Sequence, residues 1–257
     1  MKRPSKEMKR IARDILNDRY GVPMGAFVAV SIIVAVMEIP FSMSLGANPT
    51  TSQLIIVLLA EFLIMLISFV LSAGVTRVHL NMTRGAEFRF LQIFDPFRSG
   101  TERFFGAGLI QFLLGLAACL PLIGGLIYFI FAETDAVSIA VLAAGAMISL
   151  VLAVLVTLNF YFVDFFLLDY PQMKVLAAFR ECRLLMNGNR GRLFYLFLSF
   201  IGWSLLILCS LGIAALWVRP YMNQTFVIFY LDCTGELDRI PVRTYPAPEA
   251  SGGSIFF

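Results

Sequence analysis

The chain of 257 residues is 59% hydrophobic and only 14% charged, with a formal net charge of +3. Soluble domains carry about 25% charged residues, so a water-soluble globule is excluded and lipid is expected to cover most of the outer surface. The small positive balance does not point to nucleic acid. The basic residues gather at the edges of apolar stretches, where cytoplasmic retention and anionic lipid headgroups account for them.

Residues 1–21 form a basic N-terminal segment. The spacing of Met8, Ile11, Ala12, Ile15, Leu16 and Tyr20 predicts an amphipathic helix over 5–20, capped by Ser5, with Lys6, Lys9, Arg10 and Arg13 around the stripe. Such a helix suits either the plane of the membrane interface or packing against the cytoplasmic side of a bundle. The bundle is expected over 22–233. Its first span, about 22–45, is too long for the apolar core of a signal peptide and reads as a retained anchor; Pro40 should kink its outer end. The second span, about 53–78, leads into a basic loop carrying Arg77, Arg84, Arg89, Arg98 and Arg103. There Phe88, Phe90, Phe94 and Phe97 alternate with charges, as in an interfacial segment.

The third span, about 104–131, contains Pro121, Gly124 and Gly125 and is expected to bend or unwind there. A short loop with Glu133 and Asp135 follows. The fourth span, about 137–168, is too long to stand upright and should tilt or project into the cytoplasm. Its Gly145 and Ser149 form a small-residue face for close helix packing. Residues 171–187 predict a second cytoplasmic amphipathic helix. Pro171 would sit in its first turn, Val175, Leu176, Phe179, Cys182 and Met186 on one face, and Gly188 and Gly191 at its end. The fifth span covers about 193–213. Residues 214–233 read in two ways: an interfacial helix with the tail outside, or a broken sixth span starting near Arg219 and Pro220 with the tail inside. The pattern leans to the return helix. The tail, 234–257, holds Pro246, Pro248, Gly252 and Gly253 and is predicted disordered.

All Lys and Arg residues except Arg219, Arg239 and Arg243 fall in three segments. The positive-inside rule puts those segments and the N-terminus in the cytoplasm. The fold class is therefore an all-α, polytopic transmembrane helical bundle of five spans, or six if the return helix crosses, with two cytoplasmic amphipathic helices.

Three stretches carry a family resemblance: AGVTRVHLNMTRG (73–85), RECRLLMNGNRGRLFYLFLSFIGWSLL (180–206) and GIAALWVRPYMNQTFVIFY (212–230). Together they resemble the uncharacterised bacterial membrane family called "domain of unknown function 975". The run from Leu198 to Trp203 is its most specific part. Cys182 stands where that family often has Ser, and Ala214 where it often has Gly. The resemblance implies a helical protein of the bacterial inner (plasma) membrane and implies no activity.

Ionisable residues inside spans are the natural candidates for function. Glu38 and Glu61 lie at matching depths on consecutive antiparallel spans, about 10 and 12 Å below the outer edge at about 1.5 Å per residue. If both face inward they can share a proton and serve proton coupling or cation binding; otherwise each is hydrogen-bonded to a neighbour or open to outer water. Gln111 and Asn159 occupy the inner half and can bond across the bundle, more as packing contacts than as a site. Arg77, His79 and Asp164 converge in level at the cytoplasmic edge, as an ion-paired cluster or a pH-sensitive latch. The four cysteines, Cys119, Cys182, Cys209 and Cys233, show no CxxC spacing and are expected as free thiols.

No P-loop, dinucleotide fingerprint or nucleophile elbow occurs. With His79 the single histidine, metal catalysis is not expected, and no cofactor is implied. The leading expectation is a non-enzymatic intramembrane binding or accessory protein, for a lipid, a peptide or a partner protein, in envelope upkeep or export. Anionic lipid headgroups and a membrane or cytoplasmic protein are the expected partners. The alternatives are a proton- or cation-coupled transporter or channel using Glu38 and Glu61, and a lipid-modifying enzyme.

Overall fold

The computed structural model describes residues 2–44, 46, 49–98, 100–132 and 135–240. Among them the ordered elements are all helices. Five stretches are long and apolar enough to cross a bilayer: Gly21–Ser44, Thr51–Thr83, Thr101–Phe131, Ala136–Asp169 and Arg190–Cys209. The chain is a membrane protein built as a helical bundle.

Helix α1 (Ser5–Leu16) buries Met8, Ile11, Ala12 and Leu16, which helical spacing places on one face. That face packs on α11 (Ala215–Cys233), so of the two settings for this helix the structure shows packing on the bundle. The helix stops at Leu16 rather than continuing to 20, and Ser5 is its first residue, with Pro4 at the cap position. Helices α2 (Gly21–Ser44) and α3 (Thr51–Thr83) form an antiparallel hairpin. α3 opens with a capping box, the Thr50 side chain accepting from the Gln53 N–H and the Gln53 side chain from the Thr50 N–H.

The aromatic loop folds into a 3-10 helix, Phe90–Phe94, and the short α4 (Asp95–Arg98). Ile93 is buried there against Ala26, Val75 and Val78, while Phe90 and Leu91 stay exposed. Gly74 permits the approach: a Cβ at that position would lie 2.0 Å from the Ile93 carbonyl oxygen.

Helix α5 (Thr101–Phe131) runs unbroken through Pro121, Gly124 and Gly125, so it does not unwind there. The physical reason is its partner, α6 (Ala136–Phe160), against which it packs closely. Ser149 Oγ accepts the Leu122 N–H at 2.9 Å, and a Cβ on Gly145 would lie 2.5 Å from the Pro121 carbonyl oxygen. The small-residue face of Gly145 and Ser149 thus supports the α5 backbone at its proline. α6 begins with a second capping box, built on Asp135 and Ser138; Glu133 of the same loop lies outside the described residues.

Two expected spans are divided. The fourth breaks at Tyr161–Phe162 into α6 and α7 (Val163–Asp169), and the fifth at Ser199–Phe200 into α9 (Arg190–Leu198) and α10 (Ile201–Cys209). Between them lies α8 (Val175–Leu185), which buries Ala178, Phe179 and Cys182. It starts after Lys174, so Pro171 sits in the preceding turn rather than in the first helical turn. Leu176 is exposed, off the buried face. Gly188, at φ +76°, ends the turn after α8, whereas Gly191 lies inside α9. α11 is continuous through Pro220, not broken there.

The core sits at one end of the bundle. Phe162 stacks on Phe229 at 5.6 Å and 9°, and Phe165 and Tyr230 close around them. Ion pairs lock the same end. Asp232, its side chain 1% exposed, accepts from Arg3 at 3.2 Å and from Arg192 at 2.5 Å. Arg84 bonds Asp169 and Glu236, and Leu237 is buried. Residues 234–240, expected as the start of the disordered tail, therefore fold back onto the bundle; the rest of the tail lies outside the described residues. Both described termini stand at this basic end. Away from it, Leu58, Leu59, Ile130, Val137 and Leu150 are exposed, as lipid-facing residues are.

Candidate functional site

The break at Tyr161–Phe162 creates the site. Ending α6 there releases its last carbonyls. Gln111 Nε2 donates to the Phe160 oxygen at 3.2 Å, and the Cys182 thiol donates to the Asn159 oxygen at 3.2 Å. The chain then turns and sends Asp164, in the first turn of α7, toward α3. Thr76 Oγ stands 3.3 Å from Asp164 Oδ2, and the same hydroxyl lies 3.1 Å from the Ser72 carbonyl. One hydroxyl proton serves two acceptors, and the backbone N–H groups of Phe165 and Asp164 also bond the carboxylate, which lines an open space.

That space is a cavity of about 430 Å³ between α3, α5, α6, α7 and α11. Its polar lining is Ser72, Thr76, Gln111, Thr157, Asp164 and Asn223; its aromatic lining is Phe69, Phe160, Tyr161, Phe165 and Phe226. Gly115 and Ala153 leave room where larger side chains would fill it. Ser72, Ala153 and Thr157 are exposed, so the cavity opens between α3 and α6. A carboxylate among aromatic faces suits a cation: the charge is met directly and the ring faces add a favourable quadrupole.

The expected constellations fare differently. Asp164 meets Thr76, not Arg77 or His79. Successive helical residues are rotated by about 100°, so these α3 neighbours point elsewhere. Arg77 reaches the Leu168 carbonyl at 3.4 Å and Asp95 at 3.9 Å. His79 is fully buried and bonds Gln224 through Nδ1 at 2.8 Å. Gln111 and Asn159 do not bond each other: Gln111 ties α5 to the end of α6 through the Phe160 carbonyl, while Asn159 Nδ2 donates back to Leu155 at 2.6 Å. Glu38 and Glu61 are both exposed, and neither lines the cavity. The condition for a shared proton, that both face inward, is not met.

The residues missed from the sequence left a faint signal. Thr157 and Tyr161 fall at i and i+4, with the already named Asp164 at i+7, and Ser72 and Thr76 at i and i+4, which are one-face spacings on otherwise apolar segments. Asn223 had no such signal, because it joins the cavity only through the return of α11.

Outside the cavity, two groups are displaced in their titration. The fork to Asp169, helped by Glu236, holds the Arg84 guanidinium above its ordinary value against the effect of burial. Burial pushes the Tyr230 hydroxyl up, and the Asp169 charge beside it adds to the shift. Both belong to the ion-pair lock rather than to the cavity.

The family described as "Protein of unknown function (DUF975)" matches residues 1–236, and the chain belongs to it. No curated protein and no solved structure matches the chain.

Proposed function

We propose that the protein is a non-enzymatic lipid-binding accessory protein of the bacterial inner membrane, which holds a lipid with an amine or quaternary ammonium headgroup in the Asp164 cavity. The observation that carries this reading is a carboxylate whose one side-chain donor is a shared hydroxyl, set among five aromatic residues in a cavity open between two spans. Its volume of about 430 Å³ lies in the range of small-ligand sites, about 300–1,000 Å³. The headgroup would meet Asp164 and the rings while the acyl chains remain in the bilayer beside α3 and α6. The three basic segments then face the cytoplasm by the positive-inside rule, where they also attract anionic lipids.

Transport through Glu38 and Glu61 draws no support from a cavity that reaches neither. A lipid-modifying reaction lacks an activated nucleophile beside Asp164 among the described residues.

Native mass spectrometry of protein released in mild detergent tests the reading. Wild type should retain one amine-headed lipid per chain, and Asp164→Asn should lose it while keeping its helical circular dichroism. Retention of a soluble amine instead would keep the chemistry but move the source from the bilayer to solution. Equal retention by Asp164→Asn, or none by wild type, would sink the proposal.

A further inference from the structure

The hairpin formed by α9, α10 and α11 is shorter than the other spans. Tyr161, at the end of α6, packs on Phe197 of α9 and Phe226 of α11, with ring centroids 5.3 and 4.9 Å apart. These three rings mark one level. Beyond it, α6 continues to Ala136, about 37 Å at ~1.5 Å per residue. From the same level α11 reaches back only to Ala215, about 16 Å, and α9 and α10 rise only to Cys209, about 18 Å. The hydrocarbon core of a bilayer is about 30 Å thick. Even counted from Arg192, which is held by Asp232, the rise to Cys209 is about 26 Å.

The base of the hairpin carries charge. Lys9 Nζ donates to the Ser199 carbonyl at 2.8 Å and stands 4.0 Å over the Phe200 ring. A cation held there suits a polar boundary where α9 gives way to α10.

The tip is apolar. Leu208 is 73% exposed and Leu211 94% exposed, and Ile213 is exposed beside them. In water such a turn would be costly. Its N–H groups are also closed within the turn. The N–H groups of Ser210, Leu211 and Gly212 donate to Leu206, Leu208 and Ile207. The Ile213 N–H donates to the Ser210 carbonyl and the Ala214 N–H to Ser210 Oγ, whose own proton goes to Ile207. The N–H groups of Ala215, Leu216 and Trp217 turn back to Gly212, Ile213 and Ala214. Leu211 adopts φ +51° and Gly212 φ +90° to make this possible. A turn that hydrogen-bonds every N–H internally is what hydrocarbon demands and water does not.

We infer that the α10–α11 hairpin is re-entrant: it dips into the leaflet at the basic end, places Cys209–Ile213 among acyl chains near mid-bilayer, and returns without crossing. Its partner is the lipid of that leaflet. Four stretches then cross the membrane, and both described termini lie on one side, as the Arg3–Asp232 and Arg3–Asp238 pairs require. This inference is independent of what occupies the Asp164 cavity.

Depth-dependent quenching tests it. The protein carrying Cys119→Ala is labelled with an environment-sensitive fluorophore on the exposed Cys209 and reconstituted in vesicles containing spin-labelled phospholipids. The expected result is several-fold stronger quenching by nitroxides near the chain ends than by headgroup nitroxides, with no quenching by aqueous iodide. A label at Ser52→Cys, in the first turn of α3 at the opposite end of the bundle, should behave oppositely. The same label at Leu211→Cys, in the Cys209→Ala background, guards against a local effect at one site. Iodide access equal to that of the Ser52→Cys label, or strongest quenching from the headgroup, at either hairpin position would overturn the inference.

Discussion

His79 Nδ1 lies 2.8 Å from Gln224 Oε1, and both side chains are fully buried between α3 and α11. The bond fixes the whole local network. Gln224 Nε2 donates to Thr83 Oγ, and the Thr83 hydroxyl donates to the His79 carbonyl at 2.9 Å. With the amide nitrogen so engaged, the amide oxygen faces His79, and Nδ1 is the ring nitrogen that carries the proton. Nε2 is left buried without a partner. The triad pins the return helix to the end of the second span.

Gln224→Leu should therefore destabilise the fold by about 2–4 kcal/mol, since it leaves the His79 Nδ1–H and the Thr83 hydroxyl without their partner in a dry contact. The double variant His79→Leu with Gln224→Leu should cost less than the sum of the two single changes. A cycle of thermal unfolding in detergent measures the coupling; strictly additive losses would show that the two side chains do not act together.

Much of the bundle was legible because its periodicity is strong. Met8, Ile11, Ala12 and Leu16 gave the face of α1, and Gly145 and Ser149 gave a close-packing face on α6, whose partner α5 the structure supplies. The breaks were not legible. Nothing at Tyr161–Phe162 or Ser199–Phe200 is a Pro or Gly signal; those turns are set by aromatic packing between helices distant in sequence, such as Tyr161 on Phe197 and Phe226. The cavity follows from the first break, so it was invisible for the same reason. For Glu38 and Glu61 the sequence offers a position along each span, but the direction in which each side chain points depends on which faces α2 and α3 bury. Arg84, Asp169, Asp232 and Glu236 were lost among surface charges, because it takes both the contact of α3 with α7 and the return of α11 to bring them to one end.

Two glycines stand where backbones touch. Gly145→Ala would place its Cβ 2.5 Å from the Pro121 carbonyl oxygen, and Gly74→Ala would place its own 2.0 Å from the Ile93 carbonyl oxygen. Neither obstacle is a flexible side chain, so the helices must separate. Each change should cost about 1–3 kcal/mol. Gly124→Ala, which meets nothing within 4 Å, is the control and should leave the melting temperature unchanged. A Gly145→Ala protein as stable as the Gly124→Ala protein would contradict the close α5–α6 contact.

The buried thiols should make the fold sensitive to alkali. Burial pushes the Cys182 thiol up to about 12 and the Cys233 thiol up to about 11, from an ordinary value of 9.0. Both folded-state values are raised, so their contribution is fully present below about pH 9. It is lost as pH rises from there through the folded-state values, because the unfolded chain releases these protons first. Melting temperature should fall between pH 9 and 11, and the slope should be shallower in Cys182→Ala. Native protein at pH 8 should also leave Cys182 unalkylated until it is unfolded. Rapid alkylation of Cys182 in the folded state would refute the burial.

Arg84 is the point at which α3, α7 and the segment after α11 are joined. Its guanidinium meets Asp169 at 2.7 and 2.9 Å and Glu236 at 2.7 Å through two nitrogens, while the Tyr230 hydroxyl donates to Asp169 at 2.9 Å. Arg84→Ala would leave two neighbouring carboxylates without a counter-charge. A fully buried pair broken in this way costs about 3–5 kcal/mol, but Arg84 and Glu236 are partly exposed, so solvent screening should reduce the loss to about 2 kcal/mol. Arg84→Lys should recover little, since one ammonium cannot match two forks at once. Asp169→Asn should cost less than Arg84→Ala, because Arg84 keeps Glu236. The expected order of melting temperatures is wild type, then Asp169→Asn, then Arg84→Lys, then Arg84→Ala. Limited proteolysis near Ile240 should accelerate in the same order as Glu236 and Leu237 come loose from the bundle. Unchanged cleavage in Arg84→Ala would mean that the C-terminal segment is held without Arg84, by contacts such as Arg3 with Asp232 and Asp238 and Arg192 with Asp232.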